Sequence, residues 1–374
     1  MRAAALGPRA SITGVFFLNG LCFSAWYARV PAIQQQLELS PGELGIALFG
    51  APAGLMVAQP IAGALAVRHG SRPLVAAAPL YLIAVVLPAL AVDMVTLLLA
   101  VTAVGAANGV LDIAMNTQGV AVERTLEERL FSSLHAAFSF GGLAGAGSAA
   151  AVAAAGIDPL PHLAVDGAIS AALAVVLARG LVRDEGTPEG PHFARPSRRL
   201  AALGVIAFCA LMAEGSVFDW SGVYLSDEAG AAAGAAPLGL TAFLLTMGIG
   251  RLVGDRVAAR IGAGTAVRGG ALIAAVGLGL ALAFPEPGPA IAGFAVMGVG
   301  LSVLFPLALR AAGMDGEGAG PALAAVSTVG YVGFLAGPPL VGSLADASSL
   351  RAALSLAGGL CVVAALAARR ARLG

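Results

Sequence analysis

The sequence predicts an all-α membrane protein in which twelve transmembrane helices form two pseudo-symmetric bundles of six. The first observation is composition: 59% of the 374 residues are hydrophobic and only 11% are charged, whereas soluble proteins carry about 25% charged residues. The second is that apolar runs long enough to cross a bilayer, about 20 residues each, recur along the whole chain. The third is that arginines gather at alternate ends of these runs. The excess apolar surface is therefore expected to face lipid.

Short polar or Pro/Gly-rich segments separate the apolar runs, and each run is interpreted as one membrane-spanning helix. The twelve predicted spans are residues 11–36, 43–66, 73–92, 95–121, 131–155, 162–182, 200–225, 237–258, 264–284, 287–310, 320–343 and 350–368.

The arginines indicate the orientation. With the N-terminus in the cytoplasm, nineteen of the 21 arginines fall on the inner side, and only Arg29 and Arg351 fall outside. Cytoplasmic loops are enriched in basic residues. We therefore expect a multi-pass protein of the cell (inner) membrane with both termini cytoplasmic.

The chain divides at its longest polar stretch. We predict an N-terminal six-helix bundle at residues 1–183, a cytoplasmic linker at 184–199 and a C-terminal bundle at 200–374. Asn19-Gly20 and Glu214-Gly215 stand at equivalent positions of the two halves, which indicates an internal repeat.

Two glycine motifs also repeat between the halves. Gly141-x-x-x-Gly145 occupies the fifth span and Gly333-x-x-x-Gly337 the eleventh. Small residues allow helix backbones to approach closely in a bilayer. We expect both motifs to serve close packing between the two halves.

Three carboxylates lie inside predicted spans: Asp112, Glu214 and Asp219. A charge near the bilayer centre costs about 3 kcal/mol or more, so such residues usually face water or a partner and mark an ion or substrate path. Burial favours the protonated form of a carboxyl group, which suits it to exchange protons. We predict Asp112 as the proton-coupling residue and Glu214 as the second candidate, whereas Asp219 is expected to pair with Arg29 as an outer gate.

The fourth span carries a polar stripe. Asn108, Asp112 and Asn116 recur every four residues and therefore share one helical face. Lipid cannot satisfy such groups, so the face must meet protein or water. One interpretation is hydrogen bonding between helices, and the other is substrate binding by Asn108 and Asn116 together with Asn19 on the first span.

Two further side chains are candidate substrate contacts. Trp26 lies toward the outer end of the first span, where an aromatic ring either anchors the helix at the interface or stacks on an organic solute. His135 on the fifth span is either a structural group or part of the binding site.

No cofactor, metal or nucleic acid is expected. The cysteines Cys22, Cys209 and Cys361 lie far apart in apolar runs, and no phosphate-binding, metal-binding or nucleophile motif is present. The sequence therefore predicts a protein that is not an enzyme.

The loop between the second and third spans resembles that of a known family. Gly63-x-x-x-Val67-Arg68-x-Gly70-x-Arg72 is similar to the loop motif of the major facilitator superfamily, although Val67 stands where that motif has an acid. The resemblance implies that Arg68 and Arg72 belong to an inner gate.

Within the superfamily the chain resembles the fucose–proton symporter branch and its uncharacterised bacterial relatives. Asp112-x-Ala114-x-Asn116 is similar to that branch's acid-x-Ala-x-Asn, whose acid is the proton site, and Phe305-Pro306 is similar to its Phe-Pro signature on the tenth span. The resemblance implies that Phe305 contacts substrate. The chain departs from the branch on its first span, where Asn19 stands in the region that carries an acid.

The resemblance implies the function. In this superfamily the first, fourth, seventh and tenth spans line a central cavity, and solutes cross by alternating access. We expect a secondary transporter that moves a small polar solute, possibly a sugar, with protons, acting as a monomer in the lipid bilayer. A proton-antiport exporter of drugs or metabolites is the alternative. A membrane receptor or scaffold that does not transport is the second.

Overall fold

The computed structural model describes residues 7–128, 130–184, 200–314, 319–371 and 373. Within these residues twelve helices are long and apolar enough to cross a membrane, which confirms the predicted fold class. Numbered in chain order, spans 1 to 12 are Pro8–Gln36, Pro41–His69, Arg72–Leu90, Met94–Leu126, Ser133–Ala154, Pro159–Gly180, Ala201–Asp227, Leu238–Ile261, Ala263–Ala283, Pro287–Gly313, Ala322–Ala347 and Leu350–Ala367.

Three spans are interrupted where proline removes a backbone donor. Span 1 consists of Pro8–Tyr27 and Val30–Gln36, and span 10 of Pro287–Leu301 and Leu304–Gly313. Proline has no N–H, so the carbonyl four residues earlier loses its helical hydrogen bond. In span 1, Pro31 removes this hydrogen bond at the start of the second piece.

Span 3 is the most broken. It runs through Arg72–Ala76, Ala78–Ala84 and a short 3₁₀ turn at Leu87–Leu90. Pro73, at the start of the first piece, is tolerated because the first helical turn leaves its N–H groups unpaired in any case. The interrupted span still covers the length that the hydropathy pattern predicted.

The chain separates into two compact units. Unit 1 comprises Met1–Leu37 and Gly50–Glu189, and unit 2 comprises Glu38–Phe49 and Gly190–Gly374. The start of span 2 thus groups with the second unit, which the division predicted from sequence did not anticipate. The predicted linker at 184–199 lies outside the described residues apart from Asp184, as do the arginines at 2, 129, 195, 198, 199 and 372.

Glycines bring spans 1 and 5 together inside unit 1. A Cβ atom on Gly141 would collide with the carbonyl oxygen of Phe17, and one on Gly145 would collide with that of Leu21. On the opposite helix, a Cβ atom on Gly20 would meet the carbonyl of Phe138. The two backbones are therefore in direct contact along these turns.

Unit 2 contains a similar contact. A Cβ atom on Gly333 of span 11 would lie 2.5 Å from the carbonyl oxygen of Phe208 on span 7. The glycine motifs thus do pack helices closely, but Gly141, Gly145 and Gly333 do so within a unit. The expectation that they pack one half against the other was wrong for these three residues, because sequence spacing identifies a close-packing face without identifying the partner helix.

Arg251 has an acidic partner within unit 2. It lies inside span 8, Leu238–Ile261, and its side chain contacts that of Glu214 on span 7. An arginine inside a span requires a partner, and Glu214 supplies one.

The glycine contact between spans 1 and 5 predicts a position-specific loss of stability. Gly141→Ala places a methyl group against the Phe17 carbonyl, and forced overpacking of this kind costs about 1–3 kcal/mol. We expect a lower thermal unfolding midpoint for the purified variant.

Gly147→Ala is the matched control, because a Cβ atom on Gly147, in the same helix, meets nothing within 4 Å. Alanine favours a helix over glycine, so this variant should unfold at or above the wild-type temperature. Equal losses in the two variants would contradict the packing described for Gly141.

Candidate functional site

The Asp112 carboxylate lies on span 4 and is held by two side-chain amides. Gln59 Nε2 of span 2 donates to Asp112 Oδ2 at 3.3 Å. Asn116 Nδ2, one turn along the same helix, donates to Asp112 Oδ1 at 3.1 Å and to the Asp112 carbonyl at 2.8 Å. Each carboxylate oxygen therefore accepts a hydrogen bond from an uncharged donor. In the described part of unit 1 no basic side chain lies within salt-bridge distance of this carboxylate.

Three side-chain amides of spans 1 and 4 carry oxygen atoms without partners of their own. The Oδ1 atoms of Asn19, Asn108 and Asn116 are buried and lack a hydrogen-bond partner among the described residues. Asn19 Nδ2 points instead at Met115 Sδ, 3.4 Å away, which is a weak acceptor. A buried carbonyl oxygen without a donor is costly, so these groups are suited to a ligand that donates hydrogen bonds.

The structure thus brings the predicted polar residues of unit 1 into one region. Asn108, Asp112 and Asn116 share a face of span 4, as predicted, and Gln59 joins them from span 2. Sequence analysis missed the role of Gln59, although a glutamine beside Pro60 inside an apolar run was the available signal. A carboxylate with neutral donors can bind a proton without first displacing a fixed cation.

Two predicted contact residues lie elsewhere in unit 1. Trp26 is only 1% exposed and its ring packs at 4.2 Å from the ring of Tyr27. Its contact with substrate stays a prediction. His135 is exposed on span 5, and its ring meets Phe16 edge-on at 5.4 Å.

Phe305 lies where span 10 is broken. The helix stops at Leu301 and restarts at Leu304. Pro306 cannot donate to the carbonyl four residues earlier, so the Phe-Pro pair accounts for the break. The Phe305 ring is half-buried and approaches Gly330 of span 11, where a Cβ atom would lie 3.2 Å from it.

The second predicted proton carrier has a fixed positive partner. Glu214 Oε1 of span 7 lies 3.3 Å from Arg251 Nη2 of span 8. The environment of Glu214 therefore differs from that of Asp112, which has only neutral donors.

Arg29 and Asp219, the two residues of the predicted outer gate, are both buried. Arg29 is buried, donates to the carbonyl of Ile157, and lies in the field of Asp158, both in unit 1. Asp219 is 5% exposed beside Trp220 on span 7 of unit 2. Their pairing as a gate stays a prediction.

The predicted inner-gate arginines flank a loop that a carboxylate organises. Asp184 at the end of unit 1 accepts from the backbone N–H groups of Ser71 at 2.9 Å and of Arg72 at 3.3 Å. Arg68 is exposed and Arg72 half-buried. Asp184 thus brings a carboxylate to the loop in which Val67 replaces the usual acid, and nothing in the loop's own sequence could have indicated this.

In the described ranges, no group of three or more His, Cys, Asp or Glu side chains is arranged to hold a metal ion. The three cysteines are free and buried.

Comparison with known families gives a match along almost the whole chain. The family model for the Major Facilitator Superfamily matches residues 12–231 and 203–373. An uncharacterised MFS-type transporter of Yersinia pestis is 34% identical over 95% of this chain and 93% of its own length. The membrane protein MosC of Rhizobium meliloti is 31% identical over 96% of this chain and 90% of its own length.

Solved structures show the same fold. The nucleoside transporter NupG superposes with a TM-score of 0.74 at 14% identity, covering 98% of this chain and 99% of that one. A bacterial homologue of the human lysosomal transporter Spinster gives a TM-score of 0.75 at 15% identity and covers 96% of each chain. The chain belongs to the Major Facilitator Superfamily and is a multi-pass membrane transporter, not an enzyme.

Proposed function

We propose that this transporter moves a small polar solute across the cell membrane by proton-coupled alternating access, with Asp112 as the proton-binding residue. The observation that carries the proposal is the Asp112 carboxylate on span 4, which is held by Gln59 and Asn116 and has no cation in salt-bridge distance in the described part of unit 1. Intramembrane carboxylates of this kind mark proton relays in pumps and transporters.

The hydrogen bonds explain how proton binding would change the site. Two amide N–H groups donate to the ionised carboxylate. A proton on either oxygen adds an O–H donor to the carboxyl group, and the amide oxygen of Gln59 or Asn116 can accept from it once that amide has turned. Proton binding at Asp112 therefore changes which groups Gln59 and Asn116 offer to a solute.

The neighbouring amides indicate the chemistry of the solute. The unpartnered Oδ1 atoms of Asn19, Asn108 and Asn116 are acceptors, so they favour a ligand rich in hydroxyl or amine donors. A sugar has this character, and so does a nucleoside, which the structurally similar NupG transports. We propose that these three residues bind solute, with His135 and Phe305 as further contacts.

The remaining proposals concern the location, the partners and the gates of the transporter. Basic residues cluster at cytoplasmic loops, which supports an inner-membrane location with both termini in the cytoplasm. The protein acts as a monomer, and its partners are lipids, protons and one small solute. Arg68 and Arg72 are proposed for an inner gate, and Arg29 with Asp219 for an outer one.

A thermal-shift screen of the purified protein against sugars, nucleosides, amino acids and cationic drugs identifies the solute class. Ligands that bind only the folded state raise its unfolding temperature. A hit among the sugars or nucleosides supports the proposed donors, whereas hits confined to apolar cationic drugs favour the exporter.

Asp112→Asn should abolish uptake of the labelled hit that is driven by a pH gradient in proteoliposomes, yet leave exchange of internal for external solute. Asparagine keeps a polar side chain in place but cannot take up a proton. The measurement compares initial rates of driven uptake and of counterflow in the same preparation.

Asp93→Asn is the matched control. Asp93 is an exposed carboxylate that caps the start of span 4 by accepting from Thr96 N at 2.8 Å, and asparagine is an equally good cap. Both activities should survive in this variant. Driven uptake that persists in Asp112→Asn would overturn the assignment of the proton to Asp112.

The Glu214–Arg251 pair should behave as a structural ion pair. Glu214→Gln or Arg251→Gln alone leaves one charge inside the unit without its partner. We expect each single variant to lose about 2 kcal/mol of stability, which is less than for a fully buried pair because Arg251 is partly exposed. The double variant removes both charges, so its thermal unfolding midpoint should recover most of the loss.

Transport by the double variant shows which of the two acids, Glu214 or Asp112, binds the coupling proton. The double variant should retain driven uptake if Asp112 carries the proton. Complete loss of driven uptake with normal exchange in this well-folded variant would instead assign the coupling proton to Glu214.

A further inference from the structure

A groove runs along the side of unit 1 where spans 1, 5 and 6 meet. Its volume is about 850 Å³, which is within the range of sites that hold an organic molecule, about 300–1,000 Å³. Among the described residues that line the groove, Arg9 and Thr13 carry polar side chains and the others are apolar. None of these lining residues belongs to the proposed solute site, proton site or gates. A ligand of the groove must therefore be largely apolar and different from the transported solute.

Span 1 presents small residues to the groove. Gly7, Ala10 and Gly14 follow one another at intervals of three and four residues, so they lie on one helical face. A Cβ atom on Gly14 would lie 2.7 Å from Leu177 Cδ1 of span 6, whereas a Cβ atom on Gly7 would meet nothing within 4 Å. The two helices therefore touch at Gly14, and the groove is open toward the start of span 1.

The groove is about as deep as one leaflet of a bilayer. Its wall on span 1 extends from Gly7 to Leu18, which at 1.5 Å per residue is about 16 Å. The hydrocarbon core of a bilayer is about 30 Å thick, so one leaflet contributes about half of that. On the opposite wall, Leu173 and Val176 of span 6 expose large apolar side chains. The acyl chain of a single lipid therefore matches the groove in length and in polarity.

An exposed ion pair lies at the end of the groove where span 1 begins. Arg9 Nη1 is 3.0 Å from Oε2 of Glu128, which follows the end of span 4 at Leu126. The side chains of Arg9 and Glu128 are 59% and 54% exposed. An ion pair this exposed contributes little to stability. Both charges therefore remain available to a ligand that brings a charge of opposite sign to each.

The charges of Arg9 and Glu128 complement those of a zwitterionic lipid headgroup. The guanidinium of Arg9 suits a phosphate, which it can bind through two parallel N–H groups. The carboxylate of Glu128 accepts hydrogen bonds, and a primary ammonium group carries three N–H donors. Phosphatidylethanolamine has both groups, whereas phosphatidylglycerol lacks the ammonium and the trimethylammonium of phosphatidylcholine has no N–H. The pair therefore favours phosphatidylethanolamine over the other two lipids.

We propose that this groove binds one phosphatidylethanolamine molecule, with an acyl chain between spans 1 and 6 and the headgroup on Arg9 and Glu128. Pockets between membrane-spanning helices that carry basic residues at the headgroup level are recognised lipid sites. A smooth helix face gives a lipid no fixed point of attachment, whereas this groove combines a concave apolar wall with two opposite charges at its mouth. The inference goes beyond the proposed function, because lipid binding here requires neither a solute nor a proton.

Native mass spectrometry tests the site with the lipids themselves as probes. The purified, delipidated protein in detergent is mixed with equal amounts of phosphatidylethanolamine, phosphatidylglycerol and phosphatidylcholine that share the same acyl chains. The first lipid retained is identified by its mass, and we expect phosphatidylethanolamine. Arg9→Gln should weaken its binding about fivefold, the scale of one basic residue at a membrane surface. Glu128→Gln should remove the preference over phosphatidylcholine.

Ala10→Phe tests the part of the groove that would hold the acyl chain. Ala10 is exposed and lines the groove, so the added ring fills the groove and leaves the packed core unchanged. We expect this variant to unfold at the wild-type temperature and to lose the first bound phosphatidylethanolamine. Arg310→Gln is the matched control, because Arg310 is an exposed arginine that pairs with Asp255 in unit 2. It should keep the wild-type affinity and preference.

The outcomes separate the possible occupants of the groove. Equal retention of the three lipids by the wild-type protein would overturn the proposal, and so would first retention of phosphatidylglycerol, which would assign the groove to an anionic lipid. Wild-type binding of phosphatidylethanolamine in both Arg9→Gln and Ala10→Phe would place the lipid elsewhere and overturn the site. Each of these results would leave the proton assignment of Asp112 untouched, because lipid retention is measured without transport.

Discussion

The cost of keeping a carboxylate inside a membrane-spanning helix is the constraint on which the site depends. Water is absent from the hydrocarbon region, so an ionised group there must find its hydrogen bonds within the protein. Asp112 finds them in two amides, Gln59 and Asn116, whereas Glu214 finds a cation, Arg251. The two acids look alike in the sequence, yet one is held by neutral donors and the other faces a fixed cation.

The same constraint shapes the helices that carry these residues. Backbone groups in lipid must be paired within a helix, and the breaks of spans 1 and 10 occur beside Pro31 and Pro306. Close glycine contacts bring the backbones of spans 1 and 5 together, and Asn19 lies on span 1 beside Gly20, which makes one of these contacts. The polar chemistry of unit 1 therefore depends on backbone contacts that carry no polar side chain.

Hydropathy and arginine placement were sufficient to predict the twelve spans, because each span must satisfy the bilayer independently of its neighbours. The polar face of span 4 was predictable for the same reason, since a period of four on one helix needs no partner to be recognised. Contacts between helices were not predictable. Gln59 and Arg251 gain their roles from side chains distant in sequence. A single sequence records no such distances.

Proton coupling at Asp112 is the central claim, and simultaneous recording of solute and proton movement tests it most directly. Proteoliposomes that contain a trapped pH dye are given the labelled solute found by screening, without an imposed gradient. The internal pH should change in step with solute entry, falling for symport and rising for antiport, and this change should be absent in Asp112→Asn. Solute entry by the wild-type protein at constant internal pH would contradict the claim.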